Sequence, residues 1–181
     1  TAEAIKNSVK LFWRTEAEIN NYGFQIQRTK AKGQHIKEVE SEWENIGFIN
    51  GNGNSNIPHK YLYEDNGLTP GKYFYRLKQV DYDGTFEYSN SIELEIGLPK
   101  EYSLQQNYPN PFNPVTTIKY SLPQNSEVVI EIYSALGELV STLVKGTMDA
   151  GYHQIGFDAS QFTSGTYIYR LTATSDKANY T

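Results

Sequence analysis

Tyr102-Ser-Leu-Gln-Gln-Asn-Tyr-Pro-Asn-Pro-Phe-Asn-Pro114 decides how the second half of this chain is read. It holds three of the seven prolines, Pro109, Pro111 and Pro114. Each lacks a backbone N–H and holds φ at about −65°. Each also pushes the residue before it, here Tyr108, Asn110 and Asn113, out of the helical region. A helix and a central strand are both excluded. Two readings fit: a free proline-rich linker, or a stiff entry piece docked on the residues downstream of it. The two large aromatics, Tyr108 and Phe112, favour docking and are its expected apolar anchors. Asn107, Asn110 and Asn113 are placed to close Asx turns.

Downstream the pattern alternates. Ile118, Tyr120 and Leu122 share one strand face, as do Val128, Ile130 and Ile132 in the next. Ala135–Glu138 turns the chain, Leu139–Val144 returns, and Lys145–Gly151 reads as a polar loop. Tyr152–Asp158 is a strand with Ile155 and Phe157 inward. Gly165 precedes a last strand, Thr166–Thr174.

Upstream, Val9-Lys-Leu-Phe-Trp-Arg14 alternates, which buries Trp13 and turns Phe12 outward. Glu16–Asn21 reads as a turn and Gly23–Arg28 as a strand. Thr29–Glu42 is a charged loop or a short helix, with the loop preferred. Trp43–Ile49 is a strand and Asn50–Asn56 a flexible turn. His59–Tyr63 is a strand, Glu64–Gly71 a turn, Lys72–Val80 the clearest strand, Asp81–Gly84 a hairpin turn and Thr85–Ile96 one returning strand. About seven strands with closely spaced turns is the immunoglobulin-like pattern.

Composition agrees. There are 15 Tyr, 8 Phe and 2 Trp among 181 residues, and aromatic and β-branched residues favour strands. The expectation is an all-β chain of two tandem immunoglobulin-like β-sandwich domains, residues 1–97 and 98–181. Net charge is −5; residues 1–97 carry 11 Lys/Arg against 14 Asp/Glu and residues 98–181 carry 5 against 7. Neither half is basic, so nucleic acid is not an expected partner. No run approaches the roughly 18 apolar residues of a membrane span. No secretory leader opens the sequence, so an exported protein would carry one upstream. With no cysteine there are no disulfides, thiolate metal sites or Cys nucleophiles.

The halves echo each other. Leu68-Thr-Pro-Gly-Lys-Tyr-Phe-Tyr-Arg-Leu-Lys78 aligns with Phe162-Thr-Ser-Gly-Thr-Tyr-Ile-Tyr-Arg-Leu-Thr172, six of eleven positions identical. Tyr73 and Tyr167 then sit where a tyrosine corner would put a ring in the core and its hydroxyl on upstream backbone. Tyr75 and Tyr169 share their faces. The functional alternative for such rings is stacking on sugar.

The sequence carries no catalytic signature. His35, His59 and His153 lie on separate segments with no ligand spacing. Neither G-x-S-x-G nor H-E-x-x-H occurs. Asp81-Tyr-Asp-Gly84 starts like a calcium loop, but its twelfth position is Ile92. The Gly51/Gly53 segment would need Gly at 56, where Asn stands. No enzyme activity and no cofactor or metal are expected. Trp43, with Phe12, Phe74 and Tyr82, is a candidate sugar-stacking surface.

Tyr102–Pro123, Ile132–Val140, Asp149–His153 and Phe162–Leu171 together resemble the type A C-terminal sorting domains of the bacterial type IX secretion system. The resemblance covers about residues 102–174. Its signature positions here are Asn107, Tyr108, Pro109, Asn110, Pro111, Phe112, Asn113, Pro114, Gly137, Gly151, Gly165 and Tyr167. The first half resembles a fibronectin type III module through Val9–Trp13 and Leu68–Tyr73, though its Leu-to-Tyr spacing is one residue shorter than usual. These resemblances imply a protein secreted or held at the cell surface, reached through the periplasm. They imply an outer-membrane translocon and a surface protease as partners. Polysaccharide binding, adhesion and self-association in a surface layer or filament by strand exchange are the alternatives. Domains of this family usually close on a further strand with a basic residue, a Met and an aliphatic run. That strand is missing after Ser175–Thr181. The edge at Thr166–Thr174 is therefore expected to be covered by another chain or by the tail.

Overall fold

The computed structural model describes residues 1–31, 42–176 and 178–181. Every regular element among them is a strand. The chain divides into two compact units, Thr1–Gly97 and Leu98–Thr181.

In the first unit β1 (Ala2–Ile5), β2 (Ser8–Thr15) and β3 (Glu18–Lys30) are followed by β4 (Glu44–Ser55), β5 (His59–Asn66), β6 (Gly71–Asp81), β7 (Phe86–Tyr88) and β8 (Ile92–Ile96). They form two antiparallel sheets, ordered β1-β2-β5 and β4-β3-β6-β7, with β8 also paired to β6. Val9 and Leu11 from one sheet and Phe24, Ile26, Tyr73 and Tyr75 from the other are buried, as strand alternation requires. Trp13 is half-buried. It stacks on Tyr61 at 5.3 Å and meets Phe24 edge-on at 5.5 Å, joining the sheets. The Tyr75 hydroxyl donates to buried Asp65 at 2.8 Å, and Arg28 pairs with the same carboxylate at 2.9 Å.

Several expected turns are strand instead. Glu18–Asn21 belongs to β3, and Asn50–Ser55 continues β4 beside it. The cause is a buried polar knot. Glu18 is 4% exposed; it accepts from Thr15 Oγ1 at 2.8 Å, Asn21 Nδ2 at 2.8 Å, the Asn52 backbone N–H at 2.7 Å and the Tyr61 hydroxyl. Burial pushes this carboxyl up, but the four donors outweigh it and hold it at about 2. Burial and the Glu18 carboxylate push the Tyr61 hydroxyl up to about 12. Gly51 is required there, because a Cβ would lie 2.6 Å from the Asn21 amide. The expected single strand Thr85–Ile96 is two, β7 and β8. Ser89 breaks it by accepting the Leu77 N–H on its hydroxyl at 2.9 Å. β1 has no counterpart in the sequence reading, and β5 runs on to Asn66. Among its described residues the first unit thus has eight strands, where about seven were expected. The expected loop Thr29–Glu42 begins as strand at Thr29 and Lys30; residues 32–41, with His35, lie outside the described residues.

The second unit contains β9 (Ser103–Leu104), β10 (Val115–Leu122), β11 (Ser126–Ser134), β12 (Leu139–Met148), β13 (Gly151–Asp158), β14 (Tyr167–Thr174) and β15 (Asn179–Tyr180). The sheets are β13-β10-β9 and β12-β11-β14-β15. Tyr120 and Leu122 from the first pack on Val128, Ile130, Leu171 and Ala173 from the second, all buried. The expected loop Lys145–Gly151 shrinks to two residues, because β12 stays paired with β11 as far as Met148. Among the described residues the tail pairs with the β14 edge at Ala173 and Thr174 alone, opposite Tyr180 and Asn179. Tyr102 holds it there, stacked on Tyr180 at 5.5 Å.

Candidate recognition surface

The proline stretch is docked, with Phe112 packed on the core as expected but Tyr108 not. Tyr108 is 81% exposed. Its backbone makes the contact instead, exchanging two 3.0 Å hydrogen bonds with Thr117. The buried anchor is Asn107. Its Nδ2 donates to the Pro109 carbonyl at 3.1 Å and to Thr116 Oγ1 at 2.9 Å; Thr116 Oγ1 donates to the same carbonyl at 2.8 Å. Its backbone N–H donates to the Tyr169 hydroxyl at 3.1 Å, and that hydroxyl donates to Gln105 O at 2.9 Å. Tyr169 is half-buried, a strap across the stretch as well as part of the core. Thr116 was missed by sequence reasoning. Its position on the Ile118 face of β10 was the available signal.

Asn107 bonds the backbone two residues on, but as a donor to the Pro109 carbonyl; Pro109 has no N–H for the side-chain oxygen to accept, so the expected Asx turn does not form. Neither Asn110 nor Asn113 makes a side-chain hydrogen bond among the described residues. All three bonds preceding Pro109, Pro111 and Pro114 are cis. Phe112 is half-buried as expected, its ring 6.0 Å from Phe157. Phe157 also meets Phe162 at 5.8 Å and Tyr167 at 6.3 Å.

Pro114 ties this segment to the loop before β14, since its carbonyl accepts the Ala159 N–H at 2.9 Å. Between the two lies a cavity of about 330 Å³. Seven signature positions line it: Asn110, Pro111, Phe112, Asn113 and Pro114 on one wall, Gly165 and Tyr167 on the other. Ala159, Ser160, Phe162, Thr163 and Ser164 complete it, and no lining residue carries a charge. Gly137 and Gly151 stand elsewhere. Gly137 turns β11 into β12 at φ 83°, and Gly151 opens β13 opposite Leu122.

The echo survives in three dimensions. Tyr73 donates to Thr69 O at 2.9 Å and Tyr167 to Thr163 O at 2.6 Å, each four residues back. Burial differs. Tyr73 and Leu68 are each 4% exposed, whereas Tyr167 is half-buried and Phe162 is 36% exposed.

On the first unit Trp43 is half-buried and carries the Arg76 guanidinium over its ring at 4.1 Å; Tyr88 takes the same cation at 4.0 Å. That face of Trp43 is occupied by the cation. Tyr82 is exposed and meets Tyr22 edge-on, Phe12 is exposed, and Phe74 is half-buried. His59 pairs with Ser55, and His153 stacks on Tyr120. No group of three His, Cys, Asp or Glu among the described residues could hold a metal ion. No helix among them is long and apolar enough to cross a membrane.

Residues 106–180 match the family model described as the secretion system C-terminal sorting domain. No curated protein matches the chain. Among solved structures it is similar to dimeric latent PorU from Porphyromonas gingivalis, at 14% identity and a TM-score of 0.37, over 97% of this chain and 18% of that one. It is also similar to Streptomyces avermitilis alpha-L-rhamnosidase complexed with L-rhamnose, at 11% identity and a TM-score of 0.27, over 99% of this chain and 21% of that one. The chain spans about a fifth of the length of either.

Proposed function

We propose, from the membership of residues 106–180 in the secretion system C-terminal sorting domains, that this chain is the non-catalytic delivery end of a larger exported protein. A type IX sorting domain marks proteins that are secreted or attached to the cell surface. In this reading the outer-membrane translocon recognises the folded second unit, and a surface protease then removes it. The first unit, residues 1–97, is a fibronectin-like spacer that keeps the signal clear of the cargo. The mechanism is recognition of a folded β-domain, with no bond made or broken by these residues. One observation carries it: signature residues about fifty positions apart in the sequence meet around one cavity.

The test is in-frame removal of residues 98–181 from the parent gene in its native host. The parent should then accumulate in the periplasm, while removal of residues 2–97 should leave export intact. Undiminished export without residues 98–181 would refute the proposal.

A further inference from the structure

We infer that the cavity between the Asn110–Pro114 segment and the loop at residues 159–167 is a docking site for an uncharged, aromatic-bearing peptide segment of a protein in the secretion machinery. This rests on the sorting-signal reading above and names the place where the signal is read.

The first unit supplies an internal control. Both units build the same tyrosine corner from the same Thr, Gly, Tyr, Tyr, Arg and Leu positions. In the first, Leu68 and Tyr73 are closed over at 4% exposure each. In the second, Phe162 remains 36% exposed and Tyr167 only half-buried, beside an open space. The corner can therefore be sealed, and in the sorting unit it is not. Leaving aromatic surface in water forgoes burial that stabilises a small domain.

The chemistry of the walls selects the occupant. No lining residue is charged, so a buried charge would find no partner and would be strongly disfavoured. Phe112, Phe162 and Tyr167 offer ring faces and edges to another aromatic ring. The Asn110 and Asn113 carboxamides each carry donors and an acceptor, the same set as a peptide group. A space of about 330 Å³ is roughly eleven waters' share of liquid volume, enough for one large side chain with its flanking peptide groups. A protein partner also fits a signal that must read alike whatever the cargo.

Gly165 provides the test. A Cβ there would meet nothing within 4 Å, and its backbone lies outside the left-handed region. Gly165→Trp should set an indole at the wall of the cavity, because its Cβ displaces nothing there. Gly156→Trp is the control, since a Cβ on β13 at that point is equally free of contacts. In the parent gene, Gly165→Trp should cut export at least about tenfold, the loss of a well-buried anchor contact, while Gly156→Trp exports normally. Normal export of Gly165→Trp overturns the inference. Export that persists when residues 98–181 are deleted overturns the sorting reading itself, and this inference with it.

A second measurement does not depend on the variant's folding. The full chain is titrated with acetyl-Gly-Tyr-Gly-amide, acetyl-Gly-Glu-Gly-amide and glucose while backbone amide resonances are followed. The tyrosine peptide should move resonances of 110–113 and 160–167, and the glutamate peptide should bind at least about tenfold more weakly. Equal binding of the two peptides, or shifts at these residues with glucose alone, would overturn the peptide assignment.

Discussion

Glu18→Gln probes the polar knot that turns two expected loops into strand. The carboxylate has four acceptor positions and receives four donors, from Thr15, Tyr61, Asn21 and the Asn52 backbone. Gln keeps the shape. Its oxygen can face Asn21 and Asn52, while its NH₂ faces two hydroxyls that can rotate to accept. The substitution removes the charge that strengthens each bond. Linkage sets the magnitude. The carboxyl sits at about 2 in the folded unit against an ordinary 4.5, which is worth about 3 kcal/mol at neutral pH. The folded value is the lower one, so this stability is complete above 4.5 and is lost as pH falls toward 2. Glu18→Gln should therefore destabilise the first unit by about 3 kcal/mol at pH 7 and only roughly 1 kcal/mol at pH 3. The assay is urea unfolding followed by tryptophan fluorescence, because both tryptophans, Trp13 and Trp43, lie in the first unit. A variant as stable as the wild type at pH 7, or a gap that stays constant on acidification, would refute the reasoning.

Asn107→Ala should cost the second unit about 1–3 kcal/mol, because it removes one buried and one part-buried hydrogen bond that close the proline stretch; slowest-exchanging amides of β10 report it, and unchanged protection would contradict it. Tyr73→Phe and Tyr167→Phe should each cost about 1 kcal/mol by losing one hydroxyl-to-carbonyl bond. Each effect should be confined to its own unit when unfolding is followed separately, and a silent Tyr167→Phe would deny the second corner a structural role. Arg76→Ala should cost about 1–2 kcal/mol through two cation–π contacts and alter Trp43 emission; unchanged emission would refute the stacking. In β14, alternate amides from Tyr167 to Thr172 should exchange fast and the others, paired to β11, slowly. Uniform protection would show that something covers the edge beyond Ala173 and Thr174.

Alternation and proline made much of this protein legible from the sequence. Ile118, Tyr120 and Leu122, and Val128, Ile130 and Ile132, declared their faces because a strand's side chains alternate with period two. All six are buried. Prolines 109, 111 and 114 excluded regular structure, because missing donors and a fixed φ are local properties. The echo between Leu68–Lys78 and Phe162–Thr172 was likewise visible, since one local geometry needs the same Gly and Tyr spacing. Only the tertiary structure decided the rest. Asn50–Ser55 looks like turn by composition, yet it is strand because the buried Glu18, far off in sequence, pulls Asn52 against β3. Tyr108 was expected to anchor by size, but Asn107 does so, because the Thr116 hydroxyl and the Pro109 carbonyl meet as two acceptors that its side-chain NH₂ can serve together. The cavity, too, belongs to neither segment alone. Its walls are ordinary loops until the Pro114 carbonyl meets the Ala159 amide, and contacts between distant segments leave no local mark on the residues that make them.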